Sequence, residues 1–170
     1  MHRFSDLVSN VVSSTLHDIN RRHLKISEEL QTKANTSLII GLKTLKMQKA
    51  ILVTGMFSMF EAELQKELSC ENGFKECKKF LLEIGNNKLV SQLQISLDAI
   101  NVLKHGKGRS YNRLVEKSKD LPFVIKLPNQ DFFFEGDVSE IKTLIEVDDD
   151  FINYCLSIIS DVDSAILNKK

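Results

Sequence analysis

The chain carries no net charge, because its 23 lysines and arginines balance its 23 aspartates and glutamates. No excess of one sign therefore draws the whole protein toward nucleic acid or an anionic membrane, and any such binding must come from a local patch. With 170 residues and 42% hydrophobic content, the chain has the size and apolar material of one domain with a continuous core. We therefore predict a single domain over residues 1–170.

Cysteines are few and odd in number, at Cys70, Cys77 and Cys155. No secretory signal precedes them, so we predict three thiols in a reducing, cytoplasmic compartment. The seven-residue spacing of Cys70 and Cys77 matches no recognised zinc motif. His23 and His105 also lack neighbouring ligand candidates in sequence. The sequence thus predicts neither a metal site nor a cofactor.

A long hydrophobic run is also missing. The most apolar stretch, residues 50–60, is interrupted by Thr54, Gly55 and Ser58 and is too short to span a bilayer. The spacing of glycines, lysine and serine or threonine in a phosphate-binding P-loop is absent as well, so nucleotide binding by that route is not expected. We predict no membrane segment.

Apolar residues recur near the 3.6-residue period of an amphipathic helix over most of the chain. The predicted helices cover residues 4–33, 37–68, 74–84, 87–104, 110–115 and 151–167. Candidate caps are Asn35 or Thr36, Gly85, Asn86 or Asn87, Ser110, and the aspartates at 148–150. We therefore predict an all-α fold, with the second helix as the spine of a bundle.

Two glycines, Gly41 and Gly55, lie inside the second predicted helix. A glycine in a helix interior costs on the order of 1 kcal/mol relative to alanine. We therefore predict that each glycine marks a close helix contact or a local bend.

The pattern changes near residues 122–147, where short runs of β-branched and aromatic residues are separated by turn residues such as Pro128 and Gly136. Runs of this kind predict a small β-hairpin or flap inserted into the helical fold. Three consecutive phenylalanines occupy positions 132–134. Because alternate side chains on a strand face opposite ways, at least one of them is expected to be exposed or bound.

Residues 101–113 form the segment that packing alone explains least. Five cations, if histidine is counted, surround two glycines there: Lys104, His105, Lys107, Arg109 and Arg113. Asn101 and His105 are four residues apart, so on a helix they share one face. A histidine in such a positive field could act as a general acid or base, and the lysines and arginines could bind phosphate.

A second interpretation of this segment needs no ligand. The C-terminus of a helix attracts Lys, His and Arg because these cations complement its dipole, with Gly106 as the C-cap and Gly108 in the loop. The residue pattern is compatible with both interpretations.

Glu61, on the second predicted helix, is a further candidate. If Phe60 and Leu64 face inward, Glu61 borders the apolar face and could point into a groove. A charge at the edge of an apolar stripe is an equally compatible interpretation.

These two segments resemble the HEPN superfamily, the helical-bundle domains named for higher eukaryotes and prokaryotes nucleotide-binding. That family carries a polar residue on an early core helix and, on a later helix, an Arg-Asn pair followed shortly by His and often Gly. Here Phe60-Glu61 resembles the first element, and Asn101 through His105-Gly106 resembles the second. The likeness covers residues 37–113. It implies a HEPN-like bundle of long antiparallel helices, with the hairpin or flap near 122–147 as an insertion.

One position departs from the family pattern, because Ile100 stands where the family's arginine is expected. An arginine there would be the obvious partner for the scissile phosphate. Lys104, Arg109 or Arg113 could replace it, although on a helix Lys104 points about 40° away from the direction of Ile100.

The resemblance also implies a function. Domains of this family usually form homodimers in which Arg, Asn and His of both protomers line one cleft that cuts RNA without a metal, typically in toxin–antitoxin or antiphage systems. By the resemblance, Asn101 and His105 are catalytic residues, with Glu61 beside them. The residues expected to hold phosphate or RNA are Lys104, Lys107, Arg109 and Arg113. The expected partners are a second copy of the chain, RNA, and an antitoxin or other defence-system protein.

Two other functions are compatible with the same residues. The domain could be a non-catalytic HEPN-like dimerisation or partner-binding module, which the neutral net charge and Ile100 favour. It could instead bind a mononucleotide, with the basic segment holding the phosphate and aromatic residues of 123–134 stacking on the base. The sequence does not decide between an enzyme and a binding module.

Overall fold

The computed structural model describes residues 3–33 and 35–168, and helices account for most of that part of the chain. They are α1 (Phe4–Leu30), α2 (Thr36–Leu68), α3 (Gly73–Glu83), α4 (Asn87–His105), α5 (Arg109–Glu116) and α6 (Asp149–Leu167). The predicted all-α class is confirmed, and every predicted helix is found within a few residues of its expected bounds. None of the described helices combines the length and the apolar character needed to cross a bilayer.

Side-chain caps fix where four of the helices begin. The side chains of Asn35, Asn72, Asn86 and Asp148 each accept a hydrogen bond from an amide in the first turn of the following helix, at 2.8 to 3.2 Å. These bonds satisfy amides that have no partner within the helix. Gly85 follows α3 with φ of 74°, a left-handed conformation that glycine adopts without strain. α5 begins at Arg109, one residue before the expected cap.

α1 runs antiparallel to α6. The amide of Ser5, at the start of α1, donates to the Asp163 carboxylate near the end of α6 at 3.2 Å. Further along α1, the Asn20 side chain donates to Asp149 at the start of α6 at 2.6 Å. The polar contacts at both ends therefore fix the direction of α6 relative to α1.

α1 is antiparallel to α2 as well. Phe4 stacks on Phe60 with ring centroids 5.6 Å apart, and at the other end a Cβ at Gly41 would lie 3.0 Å from Ile26 Cδ1. The close helix contact predicted at Gly41 is therefore confirmed. At Gly55 no described atom lies within 4 Å of the Cβ position, so the contact predicted there is not found within one protomer.

The core contains apolar side chains from all six helices. α2 contributes eight buried apolar side chains and is packed against α1, α3, α4 and α6. Its buried side chains are Leu42, Leu45, Ala50, Val53, Met56, Phe57, Phe60 and Leu64. α2 is therefore the spine that the sequence predicted.

All three cysteines are free thiols. Cys77 and Cys155 are buried, and burial raises the pKa of the Cys77 thiol to about 12. Burial raises the pKa of Cys155 as well. Both thiols are therefore protonated near neutral pH and pack as small apolar side chains.

The segment between α5 and α6 is irregular. The described residues contain no β-strand there, and pairing is limited to one antiparallel bridge between Ile125 and Ile145. The two flanking hydrogen bonds, Lys126 N–H to Leu144 and Glu146 N–H to Val124, measure 2.9 and 3.0 Å. The β-hairpin predicted near 122–147 is therefore not confirmed. Side-chain contacts, rather than a strand ladder, hold most of this segment.

At least one of the three phenylalanines of this segment was expected to be exposed or bound, and two of them are exposed. Phe132 and Phe134 are exposed, whereas Phe133 is partly buried under the ammonium of Lys126, which lies 4.4 Å from the ring centroid. A single carboxylate oxygen of Glu140 accepts hydrogen bonds from the amides of Phe133 and Phe134, at 2.7 and 2.8 Å. Consecutive amides that donate to one oxygen mark a bend, so Glu140 holds the chain in a turn at Phe133 and Phe134.

α3 meets α2 at a glycine. A Cβ at Gly73 would lie 2.7 Å from the carbonyl oxygen of Glu61 and 2.8 Å from Cβ of Leu64, distances that real Cβ atoms essentially never show. α3 therefore lies this close to α2 because position 73 has no side chain.

We expect Gly73→Ala to lower the free energy of unfolding by about 1–3 kcal/mol, since the added methyl group meets backbone that cannot move aside. Gly41→Ala is the matched control, because there the methyl group meets the movable end of Ile26 and alanine favours the helix. Urea denaturation followed by circular dichroism measures both. Equal unfolding midpoints for the two variants would contradict the contact at Gly73.

Candidate functional site

Asn101 and His105 lie on the last turns of α4, and both side chains are exposed. α4 ends at His105, and the Gly106 amide closes the final turn by donating to the Val102 carbonyl at 2.8 Å. Gly106 then takes φ of 71°, which turns the chain toward α5. Because Asn101 and His105 are one helical turn apart, their side chains lie on the same face of α4.

The turn between α4 and α5 is surrounded by exposed cations. Lys104, Lys107 and Arg109 are exposed, and none of them forms an ion pair with the described residues. We call residues 104–109 the basic turn. Its cations complement the negative end of the α4 dipole, so helix capping explains part of the composition. The dipole acts within the last turn of the helix and does not account for Lys107 and Arg109, which follow it.

Arg113 of α5 is bound to a buried carboxylate of α4. Its Nε donates to Asp98 Oδ2 at 2.9 Å, and its Nη2 donates to the other oxygen of the same carboxylate. The Asp98 side chain is 5% exposed and that of Arg113 is 48% exposed. The hydrogen bond to Asp98 raises the pKa of Arg113, so this guanidinium is charged. This two-point ion pair fixes α5 to α4.

The Asp98–Arg113 pair lies on the same face of α4 as the candidate pair. Asp98 is three residues before Asn101 and seven before His105, spacings that align side chains along one face of a helix. Arg113 therefore brings a guanidinium to the face that carries Asn101 and His105. The sequence interpretation missed Asp98, although an aspartate inside an apolar helical pattern signals a buried partner.

Ile100 belongs to the core. Its side chain is 5% exposed and is part of the buried cluster that joins the helices. An arginine at this position would therefore point into the core. The position at which the family resemblance expects a cation serves packing in this chain, and the guanidinium near Asn101 comes from α5 instead.

Glu61 lies on another part of the surface. Lys43, near the start of α2, lines the same groove as Lys107, which follows α4. Glu61 comes eighteen residues after Lys43 on α2, about 27 Å further along the helix. The backbone of Glu61 packs against Gly73 at the start of α3. Among the described residues, no hydrogen bond or ion pair joins Glu61 to the face of α4 that carries the candidate pair. The structure therefore does not bring Glu61 to that face.

An open groove of about 680 Å³ adjoins the basic turn. Its lining includes Lys107, the exposed ring of Phe132, and charged side chains of α2 and of the segment between α5 and α6. Two of its acidic groups are neutralised, since Glu140 pairs with Lys126 at 2.9 Å and Asp137 pairs with Lys46 at 2.7 Å. The remaining charged residues of the lining are Lys43, Lys107, Lys142 and Asp131. The groove therefore has a net positive charge.

Lys126, which lines the groove, is hydrogen-bonded to α5. The Tyr111 hydroxyl donates to the Lys126 carbonyl at 2.8 Å, and burial raises the pKa of this tyrosine. Lys126 and Glu140 are each 7% exposed at the side chain. Tyr111 and the ion pair together hold the segment that presents Phe132.

No protein-family model, curated protein or solved structure matches the chain. In the described part of the chain, no group of three or more His, Cys, Asp or Glu side chains is placed to hold a metal ion.

Truncation of Arg113 tests whether its ion pair with Asp98, which we call the clamp, holds α5 to α4. Arg113→Ala leaves the Asp98 carboxylate buried without its partner, and we expect the free energy of unfolding to fall by about 2–3 kcal/mol. Adding Asp98→Asn should recover at least half of this loss, which a double-mutant cycle measures. Arg109→Ala is the control, since Arg109 is exposed and makes no ion pair in the described chain. If Arg113→Ala lowers the free energy of unfolding no more than Arg109→Ala does, the clamp is refuted.

Lowering the pH should destabilise the folded state, because it protonates the Glu140 carboxylate. Burial acts to raise the pKa of Glu140, but Lys126 and the amides of Phe134 and Phe133 outweigh it and lower the pKa. A lowered pKa stabilises the folded state above the unfolded pKa of about 4.3, and this stability is lost as pH falls through the folded value. Unfolding measured from pH 7 to pH 3 should show this decline. Glu140→Gln should be less stable at pH 7 and decline less steeply; an unchanged slope would contradict the assignment.

Proposed function

We propose that the chain is an RNA-directed protein of HEPN type, in which the basic turn and Arg113 contact phosphate and His105 acts in metal-independent cleavage. Bacterial toxin–antitoxin and antiphage systems use RNA cleavage of this kind, and the resemblance suggests such a setting. The observation that supports the proposal is the common face of α4, where exposed Asn101 and His105 follow Asp98, the residue that binds the Arg113 guanidinium.

Phosphate binding is supported by local charge. The protein is neutral as a whole, yet Lys104, Lys107 and Arg109 are exposed and unpaired within the described residues around one turn. Cations that have no internal partner are free to replace counterions on a phosphate backbone, which is the main source of affinity for nucleic acid.

Base binding is supported by the adjoining groove. Phe132 is 52% exposed, and its ring lines the same groove as Lys107. Single-stranded RNA is held by stacking its bases on aromatic side chains while cations follow its backbone. A nucleotide with its phosphate at Lys107 could therefore stack its base on Phe132.

Cleavage requires a proton acceptor and a group that stabilises charge on phosphorus. His105 would take the proton of the ribose 2′-hydroxyl as this oxygen attacks phosphorus, and the departing 5′-oxygen would take a proton from water. In Arg113, Nε and Nη2 donate hydrogen bonds to Asp98, and Nη2 also donates to Ser110. The two N–H groups of Nη1 are left to donate to a phosphoryl oxygen. Asn101 would orient the same phosphate.

A second function, RNA binding without cleavage, is favoured by the Asp98–Arg113 pair. The charge of this guanidinium is already balanced by a carboxylate, so its contribution to a phosphoryl transition state is smaller than that of a free arginine. Ile100 supplies no cation in its place. The two functions differ in one measurable respect, namely whether a bond in RNA is broken.

The first test is cleavage of single-stranded RNA by the full chain in the presence of EDTA. We expect cleavage by the wild type and its loss, by at least a hundredfold, in His105→Ala, since general acid–base catalysis contributes about 10²–10⁴-fold. His17→Ala is the matched control, because His17 is exposed on α1, away from α4. Equal cleavage by His105→Ala and the wild type would refute the catalytic role.

Binding is measured separately by fluorescence anisotropy of a labelled RNA at several salt concentrations. Lys107→Gln should reduce the slope of log affinity against log salt by about 0.7, the value for one phosphate contact on a single strand. Lys25→Gln, on the exposed face of α1, should leave it unchanged. Binding without cleavage selects the second function, and no binding by the wild type refutes both.

A further inference from the structure

An uncharged stripe runs along the solvent side of α2. Its members follow one another at intervals of three or four residues, which places them on one face of a helix. They are Ile40, Thr44, Met47, Ile51, Gly55, Ser58 and Ala62, and all of them are exposed. Ile51, at the centre, is 64% exposed. We call these seven residues the α2 stripe.

The two hydroxyl groups of the α2 stripe are already satisfied. Thr44 Oγ1 donates to the Ile40 carbonyl at 2.8 Å, and Ser58 Oγ donates to the Thr54 carbonyl at 3.2 Å. Burying these hydroxyls under another molecule would therefore leave no donor without an acceptor. The stripe can lose its water along its whole length at little polar cost.

No close contact within one protomer accounts for Gly55. Glycine weakens an exposed helix relative to alanine, and no described atom lies near enough to Gly55 to require its lack of a side chain. A glycine on a helix surface allows another molecule to approach the backbone closely. Its place in the stripe is explained if a partner side chain fills the space above it.

The spacing of the α2 stripe is symmetric about Ile51. The intervals are four, three, four, four, three and four residues, so the stripe reads the same in both directions. A helix with this property can pair with a second copy of itself in antiparallel orientation about a two-fold axis. In that pairing each large side chain meets a small one or itself. The pairs are Ile51 with Ile51, Met47 with Gly55, Thr44 with Ser58, and Ile40 with Ala62.

Two charges at the border of the stripe fit the same pairing. Eighteen residues separate Lys43 from Glu61, five full turns of a helix, so both lie on the same side of the stripe. Neither forms an ion pair within the described residues. An antiparallel partner centred on Ile51 places Lys43 opposite position 59 of the second copy, offset from Glu61 of that copy by about 3 Å along the helix axis. The two-fold axis therefore produces two such contacts in the dimer, each between Lys43 of one copy and Glu61 of the other.

We propose that a second copy of the chain docks on the α2 stripe, antiparallel and with the two-fold axis at Ile51. The stripe spans residues 40–62, about 33 Å along the helix. A helix pair of this length buries on the order of 1,000 Å², near the lower bound for a specific interface. Ile141, which lines a groove together with Ile40, Met47 and Ile51 of the stripe, adds to this area.

The interface does not require the proposed RNA function, although Lys43 belongs both to the groove and to the border of the stripe. In the pair the two Lys43 residues lie about 24 Å apart along the helices, since each is eight residues from the axis. Each copy therefore keeps its own basic turn and groove. The arrangement differs in this respect from the single shared cleft that the family resemblance implies. Pairing of Lys43 with Glu61 leaves Lys107 and Lys142 as the unpaired lysines of the groove.

Sedimentation equilibrium of the full chain at 1–200 µM tests the interface. We expect a monomer–dimer equilibrium that Ile51→Glu weakens at least a hundredfold, because two buried carboxylates would meet at the axis. Leu82→Glu, at an exposed apolar position of α3, should leave the equilibrium unchanged. Circular dichroism checks that both variants are folded. The proposal is overturned if the wild type stays monomeric, or if Ile51→Glu leaves the dimer dissociation constant unchanged.

The antiparallel register has its own test. Lys43→Glu alone should weaken the dimer about three- to tenfold, and adding Glu61→Lys should restore it, since the charges then meet in exchanged positions. In a Cys70→Ser background, Ile51→Cys should form a disulfide-linked dimer on mild oxidation. Ile40→Cys should cross-link with a separate Ala62→Cys chain and not with itself. Self-linking of Ile40→Cys, or no linking of Ile51→Cys, overturns the proposed register.

Discussion

Burial of the inward side of α2 is the constraint on which the rest of the structure depends. This helix is thirty-three residues long and is contacted by α1, α3, α4 and α6, which bury side chains such as Val53, Phe57 and Phe60 from water. Burial of apolar area supplies most of the free energy of folding, so the other helices are arranged around this surface. α2 also carries the uncharged, exposed α2 stripe on its solvent side. The same helix thus organises the core and carries the proposed interface.

The candidate site combines that rigid scaffold with a local excess of positive charge. α4 is packed against α2, α3 and α6, and its exposed end carries Asn101 and His105. The clamp between Asp98 and Arg113 ties α5 to this end, and Tyr111 ties α5 to the segment that carries Phe132. A positively charged turn and an exposed aromatic ring are therefore held in one place on a protein that has no net charge.

The sequence by itself determined the helices, because the forces that form them act within a few residues. Apolar periodicity predicted every helix, and the caps at Asn35, Asn86 and Asp148 act on amides two or three residues away. The sequence also predicted that Asn101 and His105 share one face, since helical geometry alone decides this. The exposure of Phe132 and Phe134 agrees with the expectation that at least one of the three phenylalanines is exposed, although the segment bends at 133–134 and is not a strand.

Only the tertiary structure decided which distant residues meet. It paired Arg113 with a buried Asp98, separated Glu61 from the face of α4 that carries the candidate pair, and made Ile100 part of the core. It also left residues 122–147 with one bridge in place of a hairpin, because the buried Lys126–Glu140 pair holds the segment through side chains. Such contacts join residues far apart in sequence, and which of them form depends on how whole helices pack; local periodicity carries no information about this.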